Sequence, residues 1–134
     1  INLLIGAIKK DLEDGTRNGS TAYAQYLEGK LGQNSFGRFF HEIAALEEGA
    51  VLWHCFTGKD RTGIASMALL KSYGVSDKEI IRDYMRTNRN AFWATIKKCI
   101  GIALLTRNWS LVKTAYKAFM ADRKLIVTAI ENYG

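Results

Sequence analysis

A cysteine and an arginine in the segment 54–63 have a spacing that suits phosphoryl-transfer chemistry. Five residues separate Cys55 from Arg61, and a hydroxyl residue, Thr62, follows the arginine. A cysteine thiolate is a competent nucleophile, and the planar guanidinium of an arginine can bind two phosphate oxygens at once. We therefore predict that Cys55 attacks a phosphoryl group that Arg61 holds.

The backbone of the same segment is predicted to form a cradle for an anion. It lies between a short apolar run at 50–54 and a helical pattern that begins near Arg61. Successive N–H groups and the helix N-terminus would face one point and lower the pKa of the cysteine. Gly58 and Gly63 permit conformations and close approaches that a Cβ would obstruct. The predicted phosphate-binding residues are Phe56, Thr57, Gly58, Lys59, Asp60, Arg61 and Thr62.

Two neighbours are predicted to support the chemistry. The hydroxyl of Thr62 can donate to the sulfur and ease departure of the thiolate in the second step. His54 is expected to support the loop through a hydrogen bond, although a histidine that is simply packed fits equally well. The bland alternative, a buried Cys55 and a surface Arg61, does not account for the glycines, the apolar run and the helix around them.

The general acid is predicted to be Asp60. Many enzymes of this chemistry take their acid from an upstream loop, often beside a proline, but the chain has no proline. The upstream candidates Asp11 and Asp14 lie in a Gly- and Asn-rich segment typical of a loose loop. Asp60 is adjacent to Arg61 and can reach a leaving oxygen; the alternative is an ordinary helix N-cap.

The rest of the chain reads mainly as helix. Apolar periodicity predicts helices at 1–12, 35–48, 61–73, 76–87, 91–105, 109–121 and 122–132. Gly49 and Gly74 are expected to end the second and third helices. Ser76 and Glu79 form a capping-box pattern, with Val75 and Ile80 as its hydrophobic staple. The run at 50–54 predicts one strand, buried on both faces.

Composition restricts the partners. The 134 residues fit one domain, and 48% hydrophobic residues allow a real core. The net charge of +6 favours anionic partners such as phosphate esters or acidic lipid surfaces, but no motif for reading nucleic acid appears. Two cysteines cannot form a disulfide framework, and a reducing compartment is expected. The longest apolar run is too short to span a bilayer, and no signal peptide is visible.

The sequence HCFTGKDRTG resembles the signature of the bacterial tyrosine-phosphatase-like proteins, which carry Lys-Asp inside the Cys-x5-Arg loop. The resemblance extends to the helical patterns at 36–46 and 64–74, to the D-Y-x-x-T-N segment at 83–88 and to IENYG at 130–134. It implies Cys55 as nucleophile, Arg61 as phosphate binder, Lys59 as an added phosphate contact and Asp60 as general acid. It implies no metal and no cofactor.

The resemblance also implies an α/β phosphatase fold with a mainly parallel central sheet flanked by helices. One strand cannot form a sheet, so residues 1–134 are interpreted as the C-terminal part of a single phosphatase domain, whose sheet an N-terminal segment completes. Residues 89–121 are interpreted as a helical lid insertion. The stretch 91–105, with aromatics, a Lys pair and an apolar end, could instead pack in a core or rest on a membrane surface.

The expected function is hydrolysis of phosphotyrosine or related phosphoproteins through a phosphocysteine intermediate. The alternatives are a phosphoinositide phosphatase, since Lys59 and the basic balance suit a head group, and a catalytically silent phosphate-binding module. The Lys-Asp insert counts against an arsenate reductase. A phosphate or sulfate ion is expected to bind in the loop. The expected location is the bacterial cytoplasm or, for a secreted effector, outside the cell.

Overall fold

A computed structural model describes residues 29–55 and 57–133, and all five elements within them are helices. They are α1 (Lys30–Ala44), α2 (Asp60–Ser72), α3 (Asp77–Thr106), α4 (Trp109–Phe119) and α5 (Arg123–Glu131). Helix α3 packs against α2, α4 and α5, and α2 also contacts α5. The helix predicted at 1–12 and the loop at 14–20 lie outside the described residues.

The largest error in the predicted secondary structure concerns helix α3. The patterns at 76–87 and 91–105 were expected to be two helices, but Asp77–Thr106 is one helix of 30 residues. No proline interrupts this stretch, and its first glycine is Gly101, near the C-terminal end. Polar residues at 88–90 do not break a helix whose flanking turns pack on neighbours, because packing outweighs weak local propensities.

The helix ends follow local chemistry, with one exception. Gly74 adopts φ +73 and lets Val75 N–H bond back to Leu70 O at 3.0 Å, which closes α2 as predicted. Helix α1 instead ends at Ala44, before the predicted Gly49, which adopts φ +97 in the following loop. At the start of α3 the predicted capping box is incomplete, because the Ser76 hydroxyl accepts no hydrogen bond from a backbone N–H. It donates instead to the Glu79 carboxylate at 2.7 Å, which lowers the pKa of Glu79.

Residues 50–55 are neither helix nor strand, and within the described part of the chain this run is not buried on both faces. Leu52 is 90% exposed, and Val51 is exposed as well. A strand exists only when a neighbour accepts and donates its backbone hydrogen bonds, and residues 29–55 and 57–133 supply no such neighbour to this run. The central sheet, and the N-terminal segment expected to complete it, stay predictions.

Two separate clusters of buried side chains hold the helices together. The larger cluster joins α2, α3 and α5 through residues such as Ile64, Met67, Ile80 and Ile126, and Phe36 of α1 packs against it. The smaller cluster lies between α3 and α4 and is built from Ile102, Leu111 and Ala115, with Val112 and Phe119 around them. The α3–α4 hairpin therefore has its own small core. The predicted lid insertion at 89–121 falls on this hairpin, and its action as a lid stays a prediction.

One close approach fixes α2 against α3 next to the loop. A Cβ added to Gly63 would lie 2.7 Å from the ring of Tyr84, a distance that real Cβ atoms do not reach. Tyr84 is buried, so its ring cannot swing aside into solvent. The close packing of α2 on α3 therefore requires a glycine at position 63, and the supporting role predicted for Gly63 in the chemistry stays a prediction. No helix in the described part of the chain is long and apolar enough to cross a membrane.

Candidate active site

The loop that carries Cys55 turns sharply into the N-terminus of α2. Gly58 adopts φ +67, a left-handed conformation that glycine tolerates and other residues rarely adopt. Lys59 is the N-cap, and its carbonyl accepts the first helical hydrogen bond from Gly63 N–H at 2.9 Å. This geometry directs the N–H groups that precede the first full turn of α2 back toward the cysteine.

The thiol of Cys55 is strongly acidified by its surroundings. Burial raises the pKa of Cys55, but hydrogen bonds favour the thiolate by more than burial opposes it. The donors are the Thr62 hydroxyl and the backbone N–H groups of Thr62, Thr57 and Gly58. Together these effects lower the pKa from 9.0 to about 6, so the thiolate predominates at neutral pH. The sulfur thus occupies the point toward which the predicted anion cradle converges.

The Thr62 hydroxyl affects the pKa of Cys55 and makes no hydrogen bond to another residue in the described structure. Its Oγ1 atom is buried and forms no hydrogen bond of ordinary geometry with any described atom. The same hydroxyl stabilises the Cys55 thiolate. The Cys55 sulfur is therefore the group that the Thr62 hydroxyl stabilises, although the two atoms do not form a hydrogen bond of ordinary geometry. The role expected for Thr62, easing departure of the thiolate in the second step, stays a prediction.

Cys55 and Arg61 line one cavity of about 420 Å³. Its wall also includes three aromatic side chains, Phe36, Phe39 and Trp53. The rings of Phe39 and Trp53 meet edge to face, with centroids 5.6 Å apart, and the indole nitrogen of Trp53 donates to Ser66 Oγ at 3.3 Å. The nucleophile and the predicted phosphate binder therefore open onto a common space with an aromatic side.

Lys59 points away from that cavity. Its ammonium donates to the carbonyl oxygens of Ala118 at 2.6 Å and Met120 at 3.3 Å, at the C-terminal end of α4. It also lies 3.6 Å from the Asp60 carboxylate, and only 11% of its side chain is exposed. The side-chain contact to phosphate expected for Lys59 stays a prediction, and it would require the ammonium to leave both carbonyls.

A thiolate in a cradle of N–H groups, in one cavity with an arginine, is suited to bind a phosphoryl group. The sequence profile of the tyrosine phosphatase family matches residues 4–133. The chain belongs to the tyrosine phosphatase family. The resemblance recognised in the signature is thereby confirmed, and so is its bacterial character.

Two relatives in this family are informative. A tyrosine-protein phosphatase of Nostoc commune is 48% identical over 63 residues, which are 47% of this chain and 21% of that protein. The triple specificity protein phosphatase PtpB of Mycobacterium tuberculosis is 38% identical over 101 residues, which are 72% of this chain and 37% of that protein. The matched residues thus span about a fifth of the length of the Nostoc commune protein and little more than a third of the length of the Mycobacterium tuberculosis protein. No solved structure matches it.

Sequence reasoning missed the role of Asn88, although it noted the D-Y-x-x-T-N segment of this phosphatase family. The Asn88 side chain donates to Ala121 O at 2.8 Å and accepts from Ala121 N at 2.6 Å. An asparagine in the middle of a helix is disfavoured, because its side chain competes for backbone groups. The unfavourable position of Asn88 within a helical pattern was the feature of the sequence that could have indicated this contact. The carbonyls that bind Lys59 could not be predicted from the sequence, because every residue type has a backbone carbonyl.

The remaining predicted residues of the phosphatase loop have these positions. Asp60 is the first residue of α2 and not its N-cap, with its carboxylate at the positive end of the helix dipole. His54 is exposed, and its Nδ1 lies 3.0 Å from Cys55 O, so the tautomer with a proton on Nδ1 donates to the loop. Outside the loop, Asp83, the first residue of the D-Y-x-x-T-N segment, lines a small cavity of about 80 Å³ together with Gly58 and Lys59. Phe56 lies outside the described residues.

We expect the alkylation of Cys55 by iodoacetamide to follow its lowered pKa. Only the thiolate reacts, so the rate should rise with pH, reach half its maximum at about pH 6 and be level near neutrality. Thr62→Val removes one donor and should move this midpoint upward. The Cys55→Ser protein is the control, because it retains only Cys99, whose pKa burial raises. A midpoint near 9 in the wild-type protein would contradict the cradle.

We expect Lys59→Met to destabilise the protein, because it leaves two carbonyls at the end of α4 without their cationic donor. Loss of hydrogen bonds to a charged group predicts a decrease of about 2 kcal/mol in the free energy of unfolding, measured by urea denaturation. Lys78→Met is the matched control, since Lys78 is exposed on the first turn of α3 and should change stability by less than about 0.5 kcal/mol. Equal stability of the two variants would mean that the contacts of Lys59 are not needed.

Proposed function

We propose that the protein hydrolyses phosphomonoesters, phosphotyrosine in particular, through a phosphocysteine intermediate. The observation that carries this proposal is the acidified thiol of Cys55, held by backbone donors in the same cavity as Arg61. A thiolate surrounded by N–H groups and a guanidinium is arranged for a phosphoryl group, whose equatorial oxygens need the same donors in the transition state.

In the first step of the proposed reaction, the thiolate of Cys55 attacks phosphorus and the bond from phosphorus to the ester oxygen breaks. The leaving oxygen takes a proton from the carboxylic acid of Asp60, and Arg61 holds two of the phosphoryl oxygens. In the second step, water attacks the phosphocysteine and gives its proton to the Asp60 carboxylate. The sulfur–phosphorus bond breaks, inorganic phosphate leaves and the thiolate is restored.

An aromatic ester is the substrate class that the site supports best. Phe36, Phe39 and Trp53 line the cavity into which Cys55 opens, and aromatic walls favour an aryl group. The family name and the name of the Nostoc commune relative point the same way. The triple specificity in the name of the Mycobacterium tuberculosis relative keeps a wider substrate range, phosphoinositides included, as the second candidate. The Lys59 ammonium binds a backbone carbonyl of α4, so Lys59 gives this second candidate less support than its place in the motif suggested.

Cys55→Ser should abolish turnover of an aryl phosphate, because a serine hydroxyl lacks the thiolate's nucleophilicity at neutral pH, while binding of inorganic phosphate persists through the cradle. The loss expected is at least about a thousandfold in kcat, measured by release of p-nitrophenol from p-nitrophenyl phosphate. Near-normal turnover by the Ser variant would contradict the mechanism. No turnover by the wild-type chain would favour the silent phosphate-binding module, and comparison of a phosphopeptide with a phosphoinositide separates the two substrate classes.

Asp60→Asn should slow esters with poor leaving groups far more than esters with good ones. An alkoxide-like leaving group needs a proton in the transition state, whereas p-nitrophenolate departs without one, so we expect a loss of about 10²–10⁴-fold for the former and much less for the latter. The measurement is kcat for a series of aryl and alkyl phosphates of increasing leaving-group pKa. An equal loss across the series would mean that Asp60 only shapes the N-terminus of α2.

A further inference from the structure

The α3–α4 hairpin has an exposed face that alternates basic and large apolar side chains. On α3, residues spaced by four, four, three and four positions lie within an arc of roughly 80°. They are Arg89, Trp93, Lys97, Ile100 and Leu104, and all are exposed. On α4, three exposed residues repeat the pattern of aromatic, lysine and aromatic at spacings of four and three. They are Trp109, Lys113 and Tyr116. These eight residues are called the hairpin face below.

The two parts of the hairpin face are continuous. Ile100 and Leu104 of α3 and Trp109 of α4 line one shallow depression of about 360 Å³, together with Val112 and other apolar residues. Leu104 is 76% exposed and Trp109 is 78% exposed. Such high exposure is unusual for two large apolar side chains that line the same depression. Large apolar side chains that are exposed next to one another mark a candidate site of interaction.

Beyond Asp83, the charged residues of the hairpin are all basic. Between Asp83 and Asp122 the sequence has no acidic residue, whereas it has seven basic ones, which exceeds the net charge of +6 of the whole chain. Among the residues described, no ion pair involves a member of the hairpin face. The exposed basic side chains of this surface suit a partner of opposite sign.

We propose that the hairpin face docks onto an anionic lipid bilayer. Amphipathic helices that lie in the membrane interface place Trp and Leu among the acyl chains and surround them with Lys and Arg, which attract acidic head groups. Lysine is depleted at the centres of protein–protein interfaces, so lysines inserted between the apolar residues fit lipid better than a second protein surface. This docking goes beyond the proposed hydrolysis and does not depend on it, because no residue of the hairpin face lies in the cavity of Cys55.

The test is co-sedimentation of the full chain with vesicles of phosphatidylcholine alone or with roughly 30% phosphatidylserine added. We expect binding to the anionic vesicles at least about tenfold stronger than to the neutral ones. The Cys55→Ser protein should bind vesicles as the wild type does, whether or not the wild type turns over a substrate. Failure of this proposal and failure of the proposed function are thereby distinguishable. Absence of binding to anionic vesicles would overturn the proposal.

Two pairs of matched variants locate the surface. The double variant Lys97→Glu with Lys113→Glu should weaken vesicle binding by about thirtyfold or more. The control, Lys78→Glu with Lys124→Glu, changes the net charge equally at exposed positions outside the hairpin face and should have a much smaller effect. Trp93→Ser should weaken binding by about tenfold, whereas Tyr73→Ser should not, although their side chains are 71% and 73% exposed. Equal losses within either pair would overturn the proposal, because attraction would then be non-specific.

Insertion is measured by quenching of tryptophan fluorescence with lipids brominated on their acyl chains. The chain has three tryptophans, and Trp53 is held by Ser66 away from the hairpin. Trp53→Phe should therefore retain quenching, and Trp93→Phe with Trp109→Phe should lose it. The reverse result would overturn the proposal. So would variants of the hairpin face that change the oligomeric mass without changing vesicle binding, since a second copy of the chain would then be the partner.

Discussion

The rest of the site depends on one interaction, the attraction between the Cys55 thiolate and the N–H groups that converge on it. A partly buried thiolate is unfavourable unless fixed dipoles replace the water it loses, and here burial alone would raise the pKa. The compensating donors exist only while residues 57–62 keep their turn. That turn needs the left-handed Gly58 and a helix that begins at Asp60. The chemistry of one sulfur atom thus depends on where α2 begins.

The start of α2 is in turn fixed by packing and by two polar clamps. The ring of Tyr84 fills the space above Gly63, which sets the distance between α2 and α3. Lys59 on one side and Asn88 on the other bind backbone groups of the stretch 118–121, where α4 ends. Both clamps use a side chain on one element and main-chain atoms on another. They bring together the loop, α3 and the end of α4, which are distant in the sequence.

The loop and most helices were predictable, because their signals are local. Cys55, Arg61 and Thr62 were predicted as site residues from their spacing together with the glycines, the apolar run and the helical pattern around them, and the end of α2 was predicted from Gly74. The continuity of α3 was not predictable, since the polar residues at 88–90 resemble a boundary until Asn88 is seen to bind Ala121. The contact of Lys59 with two carbonyls was missed for a related reason. A signature motif suggests that every charged residue in it faces the ligand, whereas tertiary neighbours decide where a long side chain points. The strand at 50–54 depends on partners that the described residues do not supply.

The division of the buried side chains into two clusters has a consequence for how such a protein can change over time. Side chains around Ile102 and Leu111 share no partner with those around Ile64 and Ile126. Substitutions in clusters that do not touch act on stability almost additively. The hairpin can therefore accumulate changes in its own core without disturbing the packing that fixes the loop, provided that the backbone at 118–121 stays where Lys59 and Asn88 reach it. Divergence of surface properties and retention of chemistry are thus compatible within one short chain.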